Sequence, residues 1–218
     1  MKKSVFILFL VFLAIVGMET SGLAQDIQKY ITMSKDISSS GEFYAIQFDL
    51  FGEQLKKVNK VVIDVPKSKK ILLRNQLNFN RFLLSSDNMT FDEFKRRFPE
   101  GEYSIDFSPR SYGRFRSTMI YNFPNPVITY PPDGTANVPT HLTILWEPLA
   151  NISDLQLTIR SGAYELSNSL PIDVTSFTVS QDLDHNTQYQ VALRATTTDF
   201  EGNALVTTQT VTFTTGLE

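Results

Sequence analysis

The sequence predicts a mostly β protein, in which a β-rich N-terminal domain with one short helix precedes a second β domain of sandwich type. Three observations carry that expectation. Short runs with apolar residues at every second position recur along the chain, clusters of Gly, Pro, Asn, Asp and Ser punctuate them, and one stretch alone has helix start and stop signals.

The first 24 residues stand apart. Lys2 and Lys3 precede an apolar run from Val5 to Met18, and Gly22 and Ala24 occupy the minus-three and minus-one positions of a small-residue cleavage site. That is the pattern of a secretory signal, with cleavage expected after Ala24. Its 14 apolar residues are short against the roughly 20 that cross a hydrocarbon core, which argues against a permanent anchor. No later stretch is long and apolar enough to span a bilayer, so the expected location is exported: periplasmic, cell-surface or extracellular. The 194 residues that remain suffice for two domains of about 100 each. They contain no cysteine, which removes disulfides, thiol nucleophiles and thiolate metal sites.

In residues 25–123, "FYAIQFDLF" puts Tyr44, Ile46, Phe48 and Leu50 on one face, and "KVVIDV" does the same for Val61, Ile63 and Val65. "GEYSIDF" (Tyr103, Ile105, Phe107) and "RFRSTMIY" (Phe115, Met119, Tyr121) give two more strands across the turn "SPRSYG". Between them, Thr90 as N-cap with Glu93 three residues later reads as a capping box. Phe91, Phe94 and Phe98 form one stripe expected to pack on the sheet, and Pro99 with Gly101 ends the helix.

The stretch "NFPNP" then fixes two φ angles through Pro124 and Pro126, and it marks a short hinge between abutting domains. In residues 124–218, alternation returns at Leu142, Ile144 and Trp146, at Leu155, Leu157 and Ile159, and at Phe177 and Val179. It continues at Tyr189, Val191, Leu193 and Ala195, and again at Val211 and Phe213. "DGTAN", "ANISD", "SGAYELSNSLP", "DHN" and "DFEGN" read as the turns that separate these strands. Short punctuated strands without a helical run predict a β-sandwich. Leu183 and Tyr189, six apart around a polar turn, fit a tyrosine corner, whose hydroxyl bonds back to the turn.

Together with "LTILWEP" and the closing "VTFTT", that spacing resembles the fibronectin type III domain over about residues 126 to 216. The Arg-Gly-Asp tripeptide of some members is missing, since "TTDFEGNALV" occupies the corresponding loop, so the resemblance does not imply integrin-type recognition. Residues 90 to 216 also resemble a group of exported bacterial proteins in which a β-rich region precedes a type III domain, a likeness that implies an architecture and no chemistry. "PEGEYSIDF" is similar to bacterial immunoglobulin-like repeats, which leaves the first domain either β-rich in its own way or a second, degenerate sandwich with an inserted helix.

The net charge of −3 is unevenly distributed: residues 25–123 hold 16 basic and 12 acidic side chains, whereas residues 124–218 hold 2 and 10. Lys56, Lys57, Lys60, Lys67, Lys69, Lys70 and Arg74 cluster, and Lys95, Arg96, Arg97, Arg110, Arg114 and Arg116 follow the helix and its hairpin. Sharing one face, these residues would give the first domain a cationic surface for an acidic partner. The plainer reading, which we favour, is that they guard sheet edges and solvated faces.

Catalytic signals are sparse. His141 and His185 lack any helical spacing or third ligand, so no metal or cofactor is expected. No nucleophile elbow, phosphate loop or dinucleotide fingerprint is present. Glu147, Asp182 and Glu201 sit on loops, where a carboxylate pair would have to meet within about 5 to 10 Å to cleave a glycoside. In "DFEGN", Asp199, Glu201 and Asn203 alternate as calcium ligands could, but they equally suit a tight hairpin. Phe200 at its tip either folds back, the reading we favour, or meets a partner. The expected function is a non-catalytic binding, adhesion or spacer module, with Lys95, Arg96, Arg97, Arg110, Arg114, Arg116 and Phe200 as the candidate surface. Its partner would be a protein, an anionic polysaccharide or envelope surface, or a second copy; nucleic acid is not expected. The alternative is a small carbohydrate-active hydrolase with carboxylates in an interdomain cleft.

Overall fold

The computed structural model describes residues 27–67, 70–74 and 79–217; the expected secretory signal and Lys69 lie outside the described residues. The described residues are mostly β with a single short α-helix, arranged as packed sheets. The first half contains β1 (Gln28–Ser38), β2 (Gly41–Phe51), β3 (Lys60–Asp64), β4 (Ile71–Arg74), β5 (Arg81–Ser85), α1 (Phe91–Arg97), β6 (Gly101–Ser108) and β7 (Arg114–Met119). Two of these, β2 and β3, bury alternate residues because one face of each looks into a core: Tyr44, Ile46, Phe48 and Leu50, and Val61 and Ile63. Strands β4, β3, β6 and β7 form one antiparallel sheet in that order, which packs on β1, β2 and β5.

The second half contains β8 (Ile128–Tyr130), β9 (Thr135–Val138), β10 (Thr143–Trp146), β11 (Asp154–Ser161), β12 (Tyr164–Leu170), β13 (Ser176–Thr178), β14 (Gln188–Thr198) and β15 (Ala204–Thr215). A three-stranded sheet, β13-β10-β8, covers the layer β12-β11-β14-β15. Trp146, 3% exposed, closes this core and donates its indole N–H to the Val174 carbonyl at 3.0 Å. Tyr189 is buried, and its hydroxyl accepts the Asp184 N–H at 2.9 Å, which is the corner geometry that the Leu183 spacing predicts.

Sequence reading leaves residues 28–38 unassigned, yet they form an 11-residue strand. Strand β1 pairs antiparallel with β2 and, along its other edge, parallel with β15, from Thr32 opposite Ala204 to Ile37 opposite Gln209. The sheet therefore runs without a break as β12-β11-β14-β15-β1-β2-β5. Along β15 the inward side chains change role: Leu205 joins the first core, Val211 and Phe213 the second, and Thr207 and Gln209 lie between. The Gln209 side chain accepts the Ile128 N–H, tying the start of the second half to the shared sheet.

Three local expectations need correction. "SGAYELSNSLP" is not a turn throughout: only Gly162 and Ala163 turn, and Tyr164–Leu170 is a strand paired with β11 over its whole length. Strands β4 and β5 were also unassigned by periodicity, because only Phe82 among their residues is fully buried. Phe91 is not core: Phe94 and Phe98 are buried, but Phe91 is 37% exposed.

Candidate functional site

Helix α1 starts where Thr90 adopts an extended backbone and its hydroxyl accepts the Glu93 N–H at 3.4 Å. Asp92 and Glu93 lie in the first turn and Lys95, Arg96 and Arg97 in the last, which matches the helix dipole at both ends. With seven residues, the helix gains its hold from Phe94 and Phe98, inserted beneath it.

Phe91, at the first position, instead lies along the outside. Its ring contacts Tyr44 (centroids 4.8 Å) and meets Tyr121 edge-on (5.9 Å), while the Lys95 ammonium sits 4.4 Å from its centroid. Phe91, Lys95 and Tyr121 line an open groove of about 540 Å³ together with Lys67, Pro99 and Glu100. Its floor is fixed: the Tyr121 hydroxyl donates to the Phe98 carbonyl, and the Tyr121 N–H donates to Glu100 at 2.6 Å. Burial, followed by the nearby Glu100 carboxylate, raises the Tyr121 phenol well above its ordinary range, so it stays a neutral donor.

The six basic residues singled out by sequence divide into separate sets. Lys95, Arg96 and Arg97 are exposed on α1, which links the two layers of the first core, whereas Arg114 and Arg116 point outward from β7 and Arg110 lies in the preceding turn. Most are already paired: Lys95 with Asp92 (3.2 Å), Arg97 with Glu93 (3.5 Å), Arg114 with Asp106, and Arg116 with Glu102 (3.6 Å). Among the described residues, Arg96 and Arg110 have no acidic partner in an ion pair. Exposed pairs of this kind add little to stability and exchange readily with a competing anion.

Phe200 is 79% exposed, so it does not fold back onto the sandwich. The loop beneath it is anchored firmly. Both the Glu201 and Asn203 N–H groups donate to one Asp199 oxygen at 2.9 Å, and the Asn203 amide donates to the other at 2.8 Å. Asn203 is fully buried, accepts the Ser117 hydroxyl at 2.9 Å, and donates to the Thr118 carbonyl at 3.3 Å. The Glu201 carboxylate accepts the Thr118 N–H at 2.8 Å, and the Lys29 ammonium donates to Ser117 at 3.1 Å. Desolvation holds the Lys29 ammonium below the usual lysine range, against the opposing pull of Glu201 and Asp199. The alternation read as possible calcium ligands is thus a hydrogen-bonded clamp onto β7.

Of the carboxylates considered for hydrolysis, Asp182 and Glu201 do not meet. Asp182 precedes β14 and Glu201 follows it, and 11 extended residues separate their loops by about 35 Å. Asp182 faces His141 at 3.2 Å with both side chains about 70% exposed, a solvated surface pair. Among the described residues no group of three or more His, Asp or Glu could hold a metal ion, and no helix is long and apolar enough to cross a membrane.

Sequence reasoning missed Lys67, Phe91, Pro99, Glu100 and Tyr121 as one site, and Lys29 and Ser117 as members of the clamp. A signal for the first existed in the Phe91 and Lys95 pair, four apart on a helix. None existed for the second, because its hydrogen bonds join residues up to 88 positions apart.

No family model and no curated protein matches the chain. Among solved structures it is similar to trypsin-activated alpha-2-macroglobulin from Escherichia coli, at 10% identity and a TM-score of 0.27, over 91% of this chain and 16% of that one. It is also similar to a stretch of titin domains, at 15% identity and a TM-score of 0.25, over 86% of this chain and 66% of that one. At these values the likenesses carry no functional argument.

Proposed function

We propose that this chain is an exported, non-catalytic binding module whose recognition surface is the groove beside α1. In this reading, residues 25–123 form the recognition domain and residues 124–218 a fibronectin type III domain that serves as its support. The sheet partition β13-β10-β8 against β12-β11-β14-β15, the buried Trp146 and the Tyr189 corner support the type III assignment. Continuity of the sheet through β1 and β15 supports a rigid spacer role, because bending there would break a row of backbone hydrogen bonds.

One observation carries the binding proposal: an exposed aromatic ring, Phe91, flanked by Lys95 and Lys67 over an open groove. An anionic polysaccharide suits it, since its carboxylates can take over the weak Lys95 and Arg97 pairs while a sugar ring packs against the part of Phe91 that Tyr44 and Lys95 leave exposed. The processed chain should bind an immobilised polyuronate, and binding should fall as salt rises. Phe91→Ala and the triple charge reversal of Lys95, Arg96 and Arg97 to Glu should each weaken it by about tenfold or more, while the Arg114 and Arg116 reversals should have less effect. Unchanged binding by both groove variants would remove this site.

A further inference from the structure

We propose that β12 is a strand-addition edge through which two copies of this chain pair about a two-fold axis. This rests on observations separate from the groove beside α1.

Strand β12 ends the sheet β12-β11-β14-β15-β1-β2-β5, with β11 on one side and, among the described residues, no strand on the other. The hairpin closes on Gly162 and Ala163, with Gly162 at φ 54° and Ser161 opposite Tyr164. A two-residue loop makes Ser161 and Tyr164 a hydrogen-bonded pair. Tyr164, Leu166, Asn168 and Leu170 therefore direct their backbone groups to β11, and Glu165, Ser167 and Ser169 direct theirs outward.

Free edges are normally blunted by shortness, charge, proline or a bulge. The other edges here follow that rule. Strands β8 and β13 have three residues each, and β4 has four between Lys70 and Arg74. Strand β5 has five and opens with Arg81, and β7 has its Thr118 N–H covered by Glu201. Strand β12 has seven residues in unbroken register, no proline and no lysine. Its one charge, Glu165, faces Arg160 on the same hairpin at 3.6 Å.

The sequence "YELSNSL" also complements itself. An antiparallel pairing centred on Ser167 sets Ser167 opposite its own copy, Glu165 opposite a serine, and Tyr164 opposite a leucine. No like charges meet, and the outward groups of Glu165, Ser167 and Ser169 exchange about six main-chain bonds. The contact is isologous and closes as a dimer, so it does not propagate into fibres.

Sedimentation velocity of the processed chain should show a concentration-dependent dimer that persists at high salt. Ser167→Pro deletes an N–H that β11 does not use, so the monomer should keep its melting temperature while the dimer loses two of its bonds, a roughly 30-fold weakening. Ser167→Lys sets like charges face to face across the axis and should act in the same direction, which covers the case of a misfolded proline variant. Because the chain lacks cysteine, Ser167→Cys under mild oxidation should give a covalent dimer, and Leu83→Cys on the opposite edge should not. A monomer at every concentration, a dimer untouched by folded Ser167 variants, crosslinking through Leu83 alone, or association abolished by salt would each overturn the proposal.

Discussion

Replacing Asn203 with Ala tests how the two cores are held together. Asn203 is fully buried, and three hydrogen bonds converge on its amide: from the Ser117 hydroxyl, to the Thr118 carbonyl and to the Asp199 carboxylate. Truncation removes all three and leaves the buried Ser117 hydroxyl and one Asp199 oxygen short of partners. At about 1 kcal/mol net per bond, with a penalty for the stranded groups, the loss is about 2 to 4 kcal/mol. For a chain of this length each kcal/mol lowers the melting temperature by about 2 to 4 °C, so a fall of about 4 to 16 °C is expected. Scanning calorimetry at neutral pH reads it directly, with Phe200→Ala as a control from the same loop that should change the melting temperature by less than about 1 °C. An Asn203→Ala variant that melts within about 1 °C of the parent would refute the view that this loop clamps the halves.

Two further perturbations probe other points of the same frame. Tyr189→Phe keeps the buried ring but orphans the Asp184 N–H, and it should cost about 1 to 2 kcal/mol in urea unfolding; no change would mean that this N–H finds another acceptor. The Lys29 ammonium, with a folded pKa below its unfolded value of 10.5, makes the unfolded chain bind more protons between those two values. Stability relative to Lys29→Met should therefore rise with pH through that window, up to about 10.5, and be flat below it. A relative stability that falls over the same range would contradict the burial argument.

Much of the second half was legible because its strands have one fully buried face, which writes period two into the sequence: Tyr189, Val191, Leu193 and Ala195 are all at 1% exposure or less. The Tyr189 role could be read because its polar partner, the Asp184 N–H, lies five residues back in the preceding turn. Edge strands escaped notice. In β12 no residue is fully buried, so its order comes from hydrogen bonds to β11, and its Ser and Asn content imitates a loop. Strand β1 fully buries only Ile31 and Met33, so it shows too little alternation to stand out.

The candidate site divides in the same way. Its cationic residues could be picked out as a set, but which of them flank an open groove depends on where α1 settles. Phe91, Phe94 and Phe98 are chemically identical, and only the packing of the helix on β2 decides that the first faces outward. Phe200 lay on a loop in either reading, and its exposure follows from the clamp beneath it.

The sequence by itself determined the sandwich character of the chain, its two apolar cores, the helix with its Thr90 cap and the Tyr189 corner, because each is encoded within a dozen neighbouring residues. Tertiary structure alone decided that β1 pairs with β15, that Asn203 locks onto Ser117, and that Phe91 and Tyr121 share a groove. Those contacts join residues about 30 to 170 positions apart. Their stabilisation comes from burial and hydrogen bonding that arise only once the sheets have packed, and no local pattern of residues records them in advance.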